Sequence, residues 1–166
     1  QLSSIDTIKY KGHFWPQFRD QQRKMLQLIP NIGMAVCSDI GAKDEVHPTN
    51  KKLVGERLAR WALNKTYNRN LVPSGPLPYS AMYKGGRVII SFQYLANGLK
   101  TIDGGQIKGF SFDGRNEAKA IIYDTTVQIV SDKKPEFVYY NWKSFADGNL
   151  VNSENLPAST FKLMIK

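Results

Sequence analysis

Cysteine is almost missing from this chain: among 166 residues there is one, Cys37. An internal disulfide is therefore excluded, and a cysteine within the apolar run Ile32–Cys37 reads as an inert buried thiol. That is compatible with cytoplasm and equally with a secreted or periplasmic protein that has no disulfide. Histidine is scarce too, with only His13 and His47, so acid–base chemistry near neutrality has few carriers. No stretch approaches the roughly 20 apolar residues needed to cross a bilayer, so no membrane span is expected. The chain opens on Gln1 and has no apolar leader run, which reads as a processed, trimmed or fragmentary product. Clustered charge is also lacking. The net charge is +9, but residues 1–69 hold 12 basic and 6 acidic side chains and residues 70–166 hold 11 and 8. An excess spread so evenly argues against a nucleic-acid interface, although a basic surface would steer anionic sugars. Cys37, Asp39, Asp44, His47 and His13 are metal ligands by type. Their spacing matches no compact Cys/His framework, so neither a metal nor another cofactor is expected.

What is present centres on residues 32–67. The run Ile32-Gly33-Met34-Ala35-Val36-Cys37 reads as a buried strand. A short acidic loop, Ser38 to His47, leads to Pro48-Thr49-Asn50, where Thr49 or Asn50 would cap a helix. In that helix Val54, Leu58, Trp61 and Ala62 form one apolar stripe for packing on a sheet, and Glu56 with Arg60 would support the exposed face. Strand, loop and helix in this order place Asp44 and His47 at the end of a strand, where α/β folds carry chemistry. A carboxylate that fixes an imidazole is half of a hydrolytic triad, and the nucleophile is the other half. A His before a Pro-initiated helix can equally hydrogen-bond the loop, and an Asp there can serve the helix N-terminus.

The segment Gly33-Met34-Ala35-Val36, Asp39-Ile40-Gly41, His47-Pro48-Thr49-Asn50-Lys51 and Gly55-Glu56-Arg57-Leu58-Ala59-Arg60-Trp61-Ala62-Leu63 resembles the C-terminal catalytic block of the sialate O-acetylesterase family. Those enzymes are carbohydrate esterases of the SGNH-hydrolase class. Phe18-Arg19-Asp20-Gln21-Gln22 resembles a helix of the same family, and Gly148-Asn149-Leu150-Val151-Asn152 with Leu156-Pro157-Ala158 resembles its closing loop. Family members remove acetyl groups from sugars with serine, histidine and usually aspartate. The resemblance implies His47 as the base. Asp44 fits the Asp-x-x-His spacing, whereas many sialate-type relatives place the acid two residues before the histidine, which here is Glu45. The family's Gly-x-Ser block and its oxyanion-hole glycine and asparagine have no counterpart in these residues. A periplasmic or secreted location is implied as well. Asn155, Thr160 and Lys162 stand where the family usually has glycine, proline and arginine.

Around this block, Pro16 opens a helix running to about Leu28, with Phe18, Met25, Leu26 and Ile29 as its apolar stripe and Asp20–Lys24 as an i,i+4 pair. One strand makes no sheet. Its neighbours must come from residues 1–13, where Ile5, Ile8 and Tyr10 suggest an extended segment, or from the β region, another copy, or a missing N-terminal half. Residues 64–78 are rich in proline, glycine and serine and read as a linker, with the boundary near 68–76. From Tyr79 the hydrophobic period becomes two. Turns at Gly85-Gly86, Asn97-Gly98, Asp113-Gly114 and Asp124-Thr125 separate strands at 87–94, 107–112, 118–123, 126–130 and 137–143. On the last of these Val138, Tyr140 and Trp142 alternate against Phe137, Tyr139 and Asn141. Spacing of this kind indicates an antiparallel β-sandwich.

The expected architecture is therefore α/β plus all-β. Residues 1–69 would be the C-terminal portion of a three-layer α/β/α SGNH-hydrolase domain, and 70–166 a β-sandwich-like domain. The expected function is part of a carbohydrate O-acetylesterase, acting on acetylated carbohydrate through His47 and Asp44 with a serine supplied from outside the chain. Ser38, Ser74 and Ser80 lack the Gly-x-Ser-x-Gly elbow, so the chain alone is expected to be catalytically silent. The alternative is a non-catalytic sugar-binding or accessory module, in which exposed Tyr139, Trp142 or Tyr94 would stack on sugar rings. By the family resemblance the closing segment is a loop that returns toward the catalytic domain, which would bring Asn152 near the sugar. Aromatic residues on one strand face are more often core. Self-association to cover an open sheet edge is a third possibility.

Overall fold

The computed structural model describes residues 1–6, 12–45 and 47–166. Ile8 and Tyr10 of the expected N-terminal extended segment lie outside the described residues. Two helices come first, α1 (Trp15–Leu28) and α2 (Lys51–Lys65). Nine strands follow among the described residues: β1 (Leu77–Lys84), β2 (Arg87–Gln93), β3 (Leu99–Thr101), β4 (Phe110–Ser111), β5 (Ala120–Tyr123), β6 (Thr126–Val130), β7 (Phe137–Tyr140), β8 (Leu150–Asn152) and β9 (Phe161–Met164). The described chain is thus mostly β-sheet with two helices. Neither helix is long and apolar enough to cross a membrane.

The strands form antiparallel sheets in the orders β1-β2-β6-β5, β4-β7-β9 and β3-β8. Alternation in β2 sends Val88, Ile90 and Phe92 inward, and β6 sends Val127 and Ile129 to the same face. These residues share one core with Phe110, Val138, Tyr140 and Phe161 of the second sheet, the pattern of a sandwich. Aromatic rings fill its centre: Phe110 and Tyr140 lie 4.8 Å apart and Tyr140 and Phe161 5.8 Å apart, centroid to centroid. The Tyr140 hydroxyl, wholly buried, accepts from Leu150 N at 2.9 Å, and burial holds its pKa well above the usual phenol value.

Several details depart from the sequence reading. Asp113-Gly114 is not a two-residue hairpin turn. Residues 112–116 form a wider loop between Ser111 and its bridge partner Glu117. Asp113 Oδ1 accepts from both Arg115 N and Asn116 N at 2.8 Å, so its side chain organises the loop. Trp142 does not continue the inward face of Val138 and Tyr140. The strand ends at Tyr140 and Asn141 takes φ +53°, which turns Trp142 outward against Tyr139, 5.1 Å between centroids. Within the expected linker, residues 73–78 are buried. Three of the six are proline and bring no N–H to satisfy, and the Ser74 and Pro76 carbonyls accept from Asn152 Nδ2 and Ser159 N.

The helices depart furthest. α1 buries Pro16, Arg19, Asp20 and Arg23, while Phe18, Met25 and Ile29 of the expected core stripe are exposed, together with Phe14 and Leu28. The reason is what α1 faces. It packs on loop carbonyls, and Arg19 Nη2 donates to Lys143 O and Ser144 O. Asp20 is paired with Arg23 at 2.8 Å and with Lys24 at 2.9 Å, the latter as expected. In α2 only Arg57 and Trp61 are buried, and Leu58 is exposed. Glu56 pairs with Lys52 rather than with Arg60, which instead bonds Glu154 and Val72 O.

Candidate active site

Residues 34–37 are buried as expected of a core strand, but they form no regular ladder among the described residues. Their carbonyls are satisfied in alternation, as extended backbone requires. Ala35 O accepts from the Gln1 amine on one side. Met34 O accepts from Trp61 Nε1 at 2.9 Å and Val36 O from Arg57 Nη1 at 2.5 Å on the other. The α2 side chains therefore close one edge of this segment. On the opposite edge residues 1–6 run alongside in the same direction, with Ser4 Oγ donating to Ser38 O and Asp6 N to Lys43 O. Of the possible neighbours for the segment, the N-terminal residues supply one. Cys37 is buried with its thiol pKa pushed up by that burial, which keeps it unreactive.

The histidine loop leaves this segment under a firm hold. Arg57 grips Asp39 with two hydrogen bonds, 2.7 Å and 2.6 Å, while also bonding Val36 O. A fork of this kind fixes direction as well as distance. At the far end of the loop Asn50 caps α2 by accepting from Leu53 N at 3.2 Å.

Between these anchors, His47 Nδ1 lies 2.9 Å from Glu45 Oε1, and the same oxygen accepts from His47 N at 2.8 Å. Asp44, the acid that the Asp-x-x-His spacing favours, is exposed in the same loop and is not the carboxylate on the ring. The reason is local. A residue two positions back, with the extra methylene of glutamate, meets both the backbone N–H and the ring. With a carboxylate on Nδ1, that nitrogen carries the proton and Nε2 is left as the basic one. The His47 side chain is 82% exposed. His13 is exposed as well.

Neither of the two large hollows includes His47. One, of about 1020 Å³, is lined by Leu26, Ile29, Ile32, Trp61, Lys65 and Tyr94. It lies at the Ile32 end of the segment whose other end feeds the histidine loop. The second, about 700 Å³, lies on the β-rich part and is lined by Thr101, Gln106, Lys108 and Lys119, among others. Among the described residues no hydrogen bond joins His47 to a serine. Ser38 and Ser74 are buried, and Ser80 lies in β1.

Asn152 does not reach toward a ligand. It is 0% exposed, and its side chain donates to Ser74 O and Tyr94 O and accepts from Glu154 N and Leu156 N. Tyr139, Trp142 and Tyr94 are half-buried. Lys162 Nζ sits 3.7 Å over the Phe137 ring beside Tyr139, and Tyr94 packs edge-on against Trp61. Sequence reasoning passed over Arg57 and Ser4, the two buried polar residues that fix the loop. The available signal for Arg57 was its place one turn before Trp61, on the same helix face.

No family model matches this chain, and no curated protein matches it significantly. A solved structure does. The chain is similar to a carbohydrate acetylesterase from Xanthomonas citri, with 36% sequence identity and a TM-score of 0.86 over 98% of its length. It spans 39% of the length of that enzyme.

Proposed function

We propose that these residues are part of a carbohydrate O-acetylesterase of the sialate type, in which His47 is the general base and the nucleophilic serine lies outside the 166 residues. The observation that carries the reading is the similarity of nearly the whole of this chain to part of a carbohydrate acetylesterase. Residues 1–69 are then the C-terminal portion of a three-layer SGNH-hydrolase domain, with 70–166 as its β-sandwich-like companion. The exposed apolar residues of α1 and its ends, Phe14, Phe18, Met25, Leu28 and Ile29, support this, because so much exposed apolar surface is characteristic of a face that is covered. The nucleophile-bearing part would supply that cover.

The serine hydroxyl attacks the acetyl carbonyl while His47 Nε2 removes its proton, and Glu45 on Nδ1 stabilises the imidazolium that forms. Collapse of the tetrahedral species expels the sugar oxygen, which takes the proton from Nε2. Water then enters by the same path and releases acetate. Asp44, in the same loop, is the other candidate for the role of Glu45. Donors to the oxyanion come from the nucleophile-bearing part. The net positive charge favours anionic acetylated sugars such as sialic acids.

The test joins this chain to the nucleophile-bearing segment of its gene and measures release of acetate from an aryl acetate, acetylated xylan and O-acetylated sialic acid. His47→Ala should lower kcat by about 10²–10⁴-fold, the usual worth of a general base. Full activity in that variant would refute the reading. The 166-residue chain alone should be silent, and His47-dependent esterase activity from it would place the nucleophile within these residues.

The second reading, a non-catalytic sugar-binding module, is favoured by the solvent exposure of His47 and by its absence from the lining of the two large hollows. Binding of acetylated oligosaccharide by the chain alone, unchanged in His47→Ala, would favour it. Self-association over the apolar helix faces predicts a dimer in solution, and a monodisperse monomer would count against it.

A further inference from the structure

Ser4 stands where three parts of the molecule meet. Its side chain is 1% exposed, and Oγ donates to Ser38 O at 2.5 Å, at the root of the histidine loop. The same oxygen accepts from Ala146 N at 3.0 Å, in the loop that follows β7. The neighbouring backbone repeats the connection. Ile5 N donates to Ser144 O at 3.1 Å, and Asp6 N donates to Lys43 O at 3.0 Å, inside the histidine loop. Gly41 lies flat against the Ser4 backbone, where a Cβ would overlap Ser4 N and O, so loop and segment are in contact along their length. Lys43 Nζ completes the bridge by resting 5.7 Å over the Phe145 ring.

We propose that the β-rich part positions the histidine loop through this relay, with Ser4 as a positioning residue that acts through Ser38 and Gly41 on the loop bearing His47. The 143–147 loop holds residues 4–6 from one side, and residues 4–6 hold residues 38–43 from the other. Arg57 grips Asp39 independently from α2. A loop clamped on two sides places its imidazole without having to be ordered by substrate, which is what an acid–base group needs. The β-rich part is then a scaffold for the loop rather than a separate sugar-binding attachment. That this loop is catalytic rests on the reading proposed above.

Amide hydrogen exchange on the full 166-residue chain tests the clamp without any reference to activity. Ser4→Ala should speed exchange at residues 38–45 by about tenfold, the effect of losing one or two buried hydrogen bonds, while β2 and β6 keep their rates. Gly41→Ala, which forces the two backbones apart, should do the same. Unchanged exchange in the loop, or an equal rise throughout the chain, would overturn the proposal. In the longer enzyme Ser4→Ala should lower kcat by about tenfold with KM unchanged, because the imidazole is misplaced while the sugar site is not. A faster-exchanging loop with unaltered kcat would reduce Ser4 to a purely structural role and also overturn it. His47→Ala in that enzyme reports on the esterase reading alone, so the two can fail separately.

Discussion

Replacing Asn152 with leucine tests whether a fully buried amide holds the fold together or serves a ligand. The side chain has no exposed surface and all four of its hydrogen bonds run to backbone groups: Ser74 O at 3.1 Å, Tyr94 O at 2.9 Å, Glu154 N at 3.1 Å and Leu156 N at 3.0 Å. Leucine has the same branched arrangement of side-chain heavy atoms and is bulkier, so no cavity opens and some overpacking adds to the cost, but two carbonyls and two amides lose their partner. A buried orphan costs about 1–3 kcal/mol, and only the Ser74 pair is wholly buried, so the others sit at or below the lower end. The expected loss is about 4 kcal/mol. That is a large share of the roughly 5–15 kcal/mol that holds a domain folded. Urea unfolding followed by tryptophan fluorescence should show the midpoint falling by about 2 M at an unchanged slope. A loss below about 1 kcal/mol would refute the reasoning. Wild-type stability with weakened sugar binding would mean that Asn152 faces a ligand after all.

Three further outcomes follow from the same structure. Tyr140→Phe removes the acceptor for Leu150 N and should cost about 1–2 kcal/mol in the same unfolding assay, with the aromatic core intact. Cys37 should resist an aromatic disulfide reagent in the native protein at pH 8 and react promptly in urea, because burial raises its pKa and shields the sulfur. Asp113 carries a pKa held below its ordinary 3.8 by hydrogen bonds from Arg115 N, Asn116 N and the Asn116 amide. A carboxylate with a depressed folded pKa stabilises above its unfolded pKa and loses that contribution as pH falls through the folded one. Asp113→Asn should therefore be less stable than wild type at neutral pH, with the gap closing in acid, and an NMR titration should find the Asp113 midpoint below 3.8.

The strands with clean alternation were legible without coordinates. β2 and β6 emerged from period-two hydrophobic patterns and their turn residues, because every second side chain of a sandwich strand must enter the core. α1 and α2 were legible from a proline at the first turn and an Asn cap. β3, β8 and β9 passed unseen: they are three or four residues long, too short for a period to show, and their ladders join residues far apart in the chain. The helix faces were misassigned for a related reason. An apolar stripe reveals which side of a helix avoids water, but not whether the cover lies within the same residues: in α1 the covered side is the polar one, whereas α2 does bury Trp61 of its stripe while leaving Leu58 exposed.

At the site, residue identity and spacing by themselves singled out His47, the two carboxylates near it and the helix that follows. The local geometry of the loop puts Glu45 on the ring, and only the tertiary structure decided which buried groups hold the loop, Ser4 and Arg57. The difference is one of range. A cap, a turn or an alternating strand is settled by neighbours within a few residues. A hydrogen bond from Ala146 N to Ser4 Oγ depends on where some 140 intervening residues bring the chain back, and no local pattern records that.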